Sequence, residues 1–229
     1  MYVPRHFSMT TEQAVELLTA AETAELVTAH PDGPAATLLP VLHRPDGDGL
    51  GSLLFHVTRT NDVWQRPHLG DALAICSGPD AYVAPPWLAS YADNPGVPTW
   101  NYVTVHAYGD LIVHDDADWT ARVVREVSAR HGFDTALVDA DGFARMLRAI
   151  VGLELRLTRV VGKAKLSQNK APADVEGIAA GLRATGDADA ARVAEAMDEV
   201  ALPHAVERYR LLGELREGRP GFPGQDKSR

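Results

Sequence analysis

The sequence predicts an α+β fold, an antiparallel barrel or sandwich with flanking helices, and three observations predict it. Short apolar or alternating runs at 24–29, 36–42, 50–58, 72–76, 81–84 and 102–113 are separated by turn signals such as Pro31-Asp32-Gly33, Pro45-Asp46-Gly47-Asp48-Gly49 and Ser77-Gly78-Pro79. After Asp116 the apolar period becomes helical, and alternation returns once, at Leu153 to Thr158. From Pro172 onward the chain is Ala-rich and charged. Strands without intervening helices exclude a βαβ repeat and leave an antiparallel architecture.

The elements follow in order. Thr10 with Gln13 makes a capping box, and Ala14, Leu17, Leu18 and Ala21 recur at helical spacing, so a short amphipathic helix opens the chain. The strand runs come next. Trp119, Val123, Val124 and Val127 then mark one helix, and Phe143, Met146, Leu147 and Ile150 a second that Gly152 is expected to end. The alternation at Leu153, Leu155 and Leu157 predicts one last half-buried strand, and helices are expected over 173–185, 187–200 and 204–217. The tail at 218–229, rich in glycine, proline and polar residues, is expected to be mobile.

Composition narrows the function. With 229 residues, 45% hydrophobic and 23% charged, the chain has the makeup of an ordinary globular protein and no run of about 18 to 20 apolar residues that a membrane span needs. The opening MYVPRHFSMT carries no apolar signal region, so a cytoplasmic location is expected. Lys and Arg total 22 against 31 Asp and Glu, a net charge of -9 that opposes attraction to a phosphate backbone. The single cysteine, Cys76, excludes an internal disulfide and ends an apolar run as a small core residue would.

Four stretches are richer in polar and aromatic residues than a core requires. In Leu54 to Trp64 a strand runs into a helix start; Arg59 there is either an anion ligand or a solvated residue beside a cap formed by Asn61 or Thr60. His56 lies mid-strand with Leu54 and Thr58 on its face and Arg59 on the other, so one site using both needs a bulge or turn. Gly78 to Trp87 brings Tyr82 and Trp87 to the edge of a strand. In 97–109, VPTWNYVTVHAYG, one parity carries Trp100, Tyr102, Thr104, His106 and Tyr108, and the other is small and apolar after Asn101. The last stretch, Val161 to Asn169, offers two lysines, a hydroxyl and two amides to an anionic group, or serves as a solvated turn.

These stretches, together with Met1 to Phe7, resemble in order and spacing the PaiB-like family, described as FMN-binding negative transcriptional regulators. The matching runs are His56-Val57-Thr58-Arg59-Thr60-Asn61, Gly78 to Pro85, Pro98 to Gly109 and Lys165-Leu166-Ser167-Gln168-Asn169, and the resemblance covers roughly residues 1–185. It implies a split β-barrel of the pyridoxamine-phosphate oxidase-like type with a helical C-terminal extension, with 1–170 as the barrel domain and 171–217 as the extension. It also implies a homodimer with a planar cofactor, FMN or heme b, at each subunit interface, and a small-molecule substrate. On this resemblance the cofactor-binding candidates are His56, Thr58, Arg59, Asn61, Trp100, Asn101, Tyr102, Lys165, Ser167 and Gln168, with Arg59 and Lys165 as anion clamps.

Some split-barrel proteins bind heme, among them piperazate synthases, which resemble the PaiB-like family and form a nitrogen-nitrogen bond. For a heme, His56 is the first candidate axial ligand and His106 the second. The chain departs from the family where relatives carry histidine in an Ala-Thr-His-Leu-Pro run and this one has Leu38, and again at Leu88 to Asp93 after the Pro-Trp loop. A regulator acting on DNA is the other reading the family suggests, but the acidic charge and the lack of a helix-turn-helix pattern favour an oxidoreductase-like enzyme.

Overall fold

In the computed structural model, which describes residues 1–47 and 49–217, strands β1 (Thr23–His30), β2 (Gly33–Pro40), β3 (Leu42–Arg44), β4 (Ser52–Thr58), β5 (Ala72–Val83), β6 (Thr99–His114) and β7 (Ile150–Lys165) form a sheet in the order β2-β1-β5-β6-β7-β4-β3. The pairs β1-β2, β1-β5, β3-β4 and β4-β7 are antiparallel. Helices α1 (Thr11–Ala20), α2 (Ala117–Arg130), α3 (Ala140–Arg148), α4 (Pro172–Ala184), α5 (Ala188–Ala196) and α6 (Leu202–Glu217) accompany it. The tail expected at 218–229 lies outside the described residues.

The chain divides into two compact units. Among the described residues, one comprises Met1–Val3, Ser8–Gly78 and Val103–Lys163; the other comprises Pro4–Phe7, Pro79–Tyr102 and 164–217. The sequence predicts the division at residue 170, whereas 79–102 cluster with the C-terminal helices. The reason is local to that unit. Trp87 lies against α4, where a Cβ on Gly181 would come within 2.4 Å of its ring and one on Gly177 within 2.2 Å of its carbonyl oxygen. Buried Asp174 of α4 accepts hydrogen bonds from the Ser90 amide at 2.8 Å and the Ser90 hydroxyl at 3.0 Å.

In the first unit, alternation along the strands builds the core. Leu26 of β1, Leu53, Phe55 and Val57 of β4, Val105 and Ala107 of β6 and Leu153 and Leu155 of β7 meet Ala14 and Leu18 of α1. Full burial of each such leucine or phenylalanine contributes about 1.5–3 kcal/mol. The opposite face of β4 carries Leu54, which packs on Trp119 and Val123 of α2. Asp116 starts α2 by accepting from the amides of Trp119 at 3.1 Å and Asp118 at 2.8 Å, and these amides hold its carboxyl below the usual carboxylate range. A carboxylate whose folded-state pKa is depressed stabilises the fold above its unfolded pKa and loses that effect as pH falls through the folded one. Asp116→Ala is therefore expected to lower the melting temperature at neutral pH, and the gap to wild type should close on acidification in a pH series of melts.

Three elements differ from their sequence patterns. Ser77-Gly78-Pro79 is no turn but the middle of β5. On β5, Leu73 to Ile75 pair with β1, so Pro79 and its missing N–H fall beyond that ladder. A Cβ on Gly78 would sit 3.1 Å from that of Val103 and 3.3 Å from Leu17, so glycine serves close packing there. The helix expected through Ile150 ends at Arg148, and Gly152 lies in β7 because the Trp119 ring occupies its side-chain position, 2.3 Å from a built Cβ. The helices expected at 187–200 and 204–217 are joined by a π-helical turn, Met197–Ala201.

Candidate functional site

The burial of β6 follows the parity read from the sequence: Asn101, Val103, Val105 and Ala107 are buried, Tyr102, Thr104, His106 and Tyr108 half-buried, and Trp100 is 53% exposed. A strand in a sheet presents alternate residues to opposite faces, so β6 has a core side and an open aromatic side. The predicted site residues fall into two groups, one in each unit.

In the first unit, His106 and Tyr108 are neighbours on the open side of β6, with ring centroids 6.3 Å apart at 52°. The Nδ1 atom of His106 is buried and has no hydrogen-bond partner among the described residues. Burial, reinforced by the positive amino group of Met1, lowers the His106 pKa, so the imidazole is held neutral. Thr104 donates to the Cys76 carbonyl at 3.3 Å, and Thr158 of β7 donates to the Tyr108 carbonyl at 3.3 Å. Arg159 lies over the Tyr108 ring, its Cζ 3.6 Å from the centroid. Cys76 itself is buried, with its thiol pushed up to about 12, and is inert as a nucleophile.

His56 stands elsewhere on the sheet. It aligns with Gly152 of β7, on which Trp119 rests, and shares its face with Leu54, which α2 covers. Burial lowers its pKa as well. Tyr108 lies beside Thr158, and Gly109 against Arg156 and Leu157, so His106 falls level with a part of β7 well beyond Gly152. At roughly 3.3 Å per residue along a strand the two histidines are about 20 Å or more apart, so a single iron in one chain cannot take both.

Arg59 is engaged within the chain. Its guanidinium forms a bidentate pair with Asp115 at 2.6 and 3.1 Å, donates to the carbonyls of Arg148 at 3.1 Å and Ile150 at 3.3 Å, and lies 5.4 Å over Trp64. Asn61 accepts from the Val63 amide at 3.0 Å, capping the short turn 62–64, and Thr58 accepts from Thr60 at 3.2 Å. An incoming anion would have to compete with Asp115 for Arg59.

In the second unit, Lys165 donates to the Thr99 hydroxyl at 2.7 Å and to the Trp100 carbonyl, and its ammonium lies 6.0 Å from the Tyr102 ring. Trp100 meets Tyr82, 45% exposed, edge to face at 6.2 Å. Ser167 is buried with φ at +69° and donates to Asn101 at 3.0 Å; Asn101 in turn donates to the Met197 sulfur at 3.3 Å. Gln168 braces the turn, accepting from the Leu166 amide at 2.8 Å and donating to the Ala164 carbonyl at 2.7 Å. Asn101, Ser167 and Gln168 are thus buried framework, and the open groups beside them are Trp100 and Tyr82. Sequence reasoning missed Arg159; the signal was available only as an arginine ending the alternation of β7.

Comparison with known proteins bears on this arrangement. The family model described as "Putative FMN-binding domain" matches residues 1–159. The chain belongs to that family. The protein named protease synthase and sporulation protein PAI 2 of Bacillus subtilis is 26% identical over 206 residues, covering 87% of this chain and 97% of its own length. That is the PaiB-like resemblance carried by the motifs. Among solved structures, the flavocytochrome Anf3 of Azotobacter vinelandii aligns with a TM-score of 0.52 at 16% identity, covering 71% of this chain and 72% of its own. A conserved hypothetical protein of Mycobacterium tuberculosis aligns at 0.50 and 14%, covering 72% and 91%. The α+β fold, a seven-stranded sheet with flanking helices, is shared with these two structures. No helix among the described residues is long and apolar enough to cross a membrane.

Proposed function

We propose that the chain binds FMN against the open side of β6 and works as an oxidoreductase-like enzyme on a small molecule, as a homodimer whose second copy covers that side. The observation that carries this reading is the half-buried face of Thr104, His106 and Tyr108, with the unpartnered Nδ1 of His106, in a chain of the FMN-binding family. Neutral polar groups between aromatic rings suit a flat heterocycle with hydrogen-bonding edges. When bound, FMN supplies a ring that takes up or returns a hydride equivalent. The protein's share is to hold that ring: His106, neutral at physiological pH, offers an acceptor or donor at its ring nitrogens, and Tyr108 an aromatic wall. His56, on the α2-covered face, is assigned a packing role. The net charge of -9 speaks against DNA as partner.

The test is the absorption spectrum of the purified protein and its titration with FMN. Flavin bands, or saturable FMN binding, that weaken at least tenfold in His106→Ala and stay unchanged in His56→Ala are expected. A Soret band would replace FMN by heme, a colourless protein that binds neither would sink the cofactor reading, and tight sequence-dependent DNA binding in a mobility shift would restore the regulator.

A further inference from the structure

We propose that Arg159, held flat on Tyr108, is the recognition residue for an oxyanion, a phosphate or carboxylate, on the open side of β6 and β7 next to His106. Arginines such as Arg44, Arg59, Arg66, Arg183 and Arg210 are each joined to a carboxylate. Arg159 makes no hydrogen bond or ion pair among the described residues; its contact is the stack on Tyr108. Arg125 is likewise stacked on Phe143, at 5.1 Å, without a carboxylate among the described residues; the Arg159 stack is the closer, and its Tyr108 ring neighbours His106.

The geometry fits recognition. At 3.6 Å from the ring centroid the exposed guanidinium is drawn onto the ring by cation-π attraction, which biases its position while its N–H donors have no partner among the described residues. A planar fork of that kind binds a carboxylate or phosphate through two parallel hydrogen bonds, and because stacking has already removed much of its rotamer freedom, less ordering is required on binding. The platform is itself held: the Tyr108 carbonyl accepts from Thr158, and Gly109 lies against the β7 backbone. The His106 ring, 6.3 Å from that of Tyr108, adds a polar group for whatever carries the anion.

The oxyanion has two sources, the phosphate of FMN or an acid group on a small-molecule substrate. The first rests on the FMN reading above; the second does not. The experiment titrates inorganic phosphate into the full-length protein at constant ionic strength and follows the His106 ring and Arg159 Nε resonances by NMR. In parallel, FMN and riboflavin are titrated by fluorescence. Saturable shifts of the His106 ring in wild type that vanish in Arg159→Gln, weaken several-fold in Tyr108→Leu and survive only partly in Arg159→Lys are expected, all three variants melting like wild type. If wild type prefers FMN to riboflavin at least tenfold and Arg159→Gln erases the preference, the oxyanion is the cofactor's. If the preference persists while the phosphate shifts are lost, the oxyanion belongs to the substrate. Equal shifts in wild type and Arg159→Gln, or none that saturate, overturn the proposal. Failure to bind either flavin counts against the FMN reading alone, because the phosphate titration stands without it.

Discussion

Gly109→Ala is expected to lower the unfolding free energy by about 3 kcal/mol or more, a large effect for one added methyl group. A Cβ at this position of β6 would lie 1.9 Å from the Arg156 carbonyl oxygen, 2.7 Å from its carbon and 3.1 Å from the Leu157 Cα. All three atoms are backbone, so no side chain can rotate away. β7 itself must move, and it is tied in turn: Ser52 to Thr58 pair with Ile150 to Arg156, and the Leu157 amide donates to the Gly51 carbonyl at 3.0 Å. Displacing Arg156 and Leu157 thus strains the ladder to β4 and unpacks Leu153 and Leu155 from the core. A matched comparison is Gly213→Ala in α6, where nothing lies within 4 Å of the new Cβ and alanine is favoured by roughly 0.5–1 kcal/mol in a helix. Urea unfolding should therefore move the midpoint of the first variant sharply down and that of the second slightly up. Equal midpoints for Gly109→Ala and wild type would show that β7 yields freely at this crossing.

The same position shows where sequence reading reaches its limit. Alternation in 97–109 was legible because a strand's two faces are written at period two, and the burial of β6 follows it residue by residue. The capping box at Thr10 and Gln13 is likewise local, and both of its hydrogen bonds are present. What was illegible depends on partners distant in sequence. Glycine and proline at 78 and 79 have the composition of a turn, but Val103 and Leu17 make Gly78 a packing residue. Arg59 has the composition of an anion clamp, but Asp115, 56 residues on, occupies its fork. His56 and His106 both have the chemistry of an axial ligand; only strand register shows that they are far apart and that α2 covers the face of one. Arg159 became a candidate for the opposite reason, because its stack on Tyr108, with no carboxylate partner among the described residues, is a property of the folded chain.

A second large effect is expected at the buried amide of the second unit. Asn101 is fully buried, accepts the Ser167 hydroxyl and donates to the Met197 sulfur. Ser167 adopts φ of +69°, a conformation that is unfavourable for a residue with a Cβ and persists only where surroundings hold it. The Asn101 hydrogen bond and that from the Lys170 amide to the Ser167 carbonyl at 2.9 Å are such surroundings. Asn101→Leu leaves a buried hydroxyl without its acceptor, at a cost of about 1–3 kcal/mol, and also releases part of what holds the strained turn. Ser167→Gly relieves the strain, since glycine adopts positive φ freely, but leaves the buried Asn101 side-chain oxygen without its donor, so the two effects offset and the net change should be small. The double variant then isolates the pair: if the network is the reason Asn101 matters, Asn101→Leu should cost much less in the Ser167→Gly background than in wild type, a coupling of about 1 kcal/mol or more in a double-mutant cycle. Strict additivity would instead assign the loss to overpacking by leucine around Met197, at the start of the π-helical turn that joins α5 to α6. Because Lys165 and Trp100 flank these residues in sequence, the cycle also tests whether the 165–168 turn is set by this amide, as the hydrogen bonds of Ser167 and Gln168 imply.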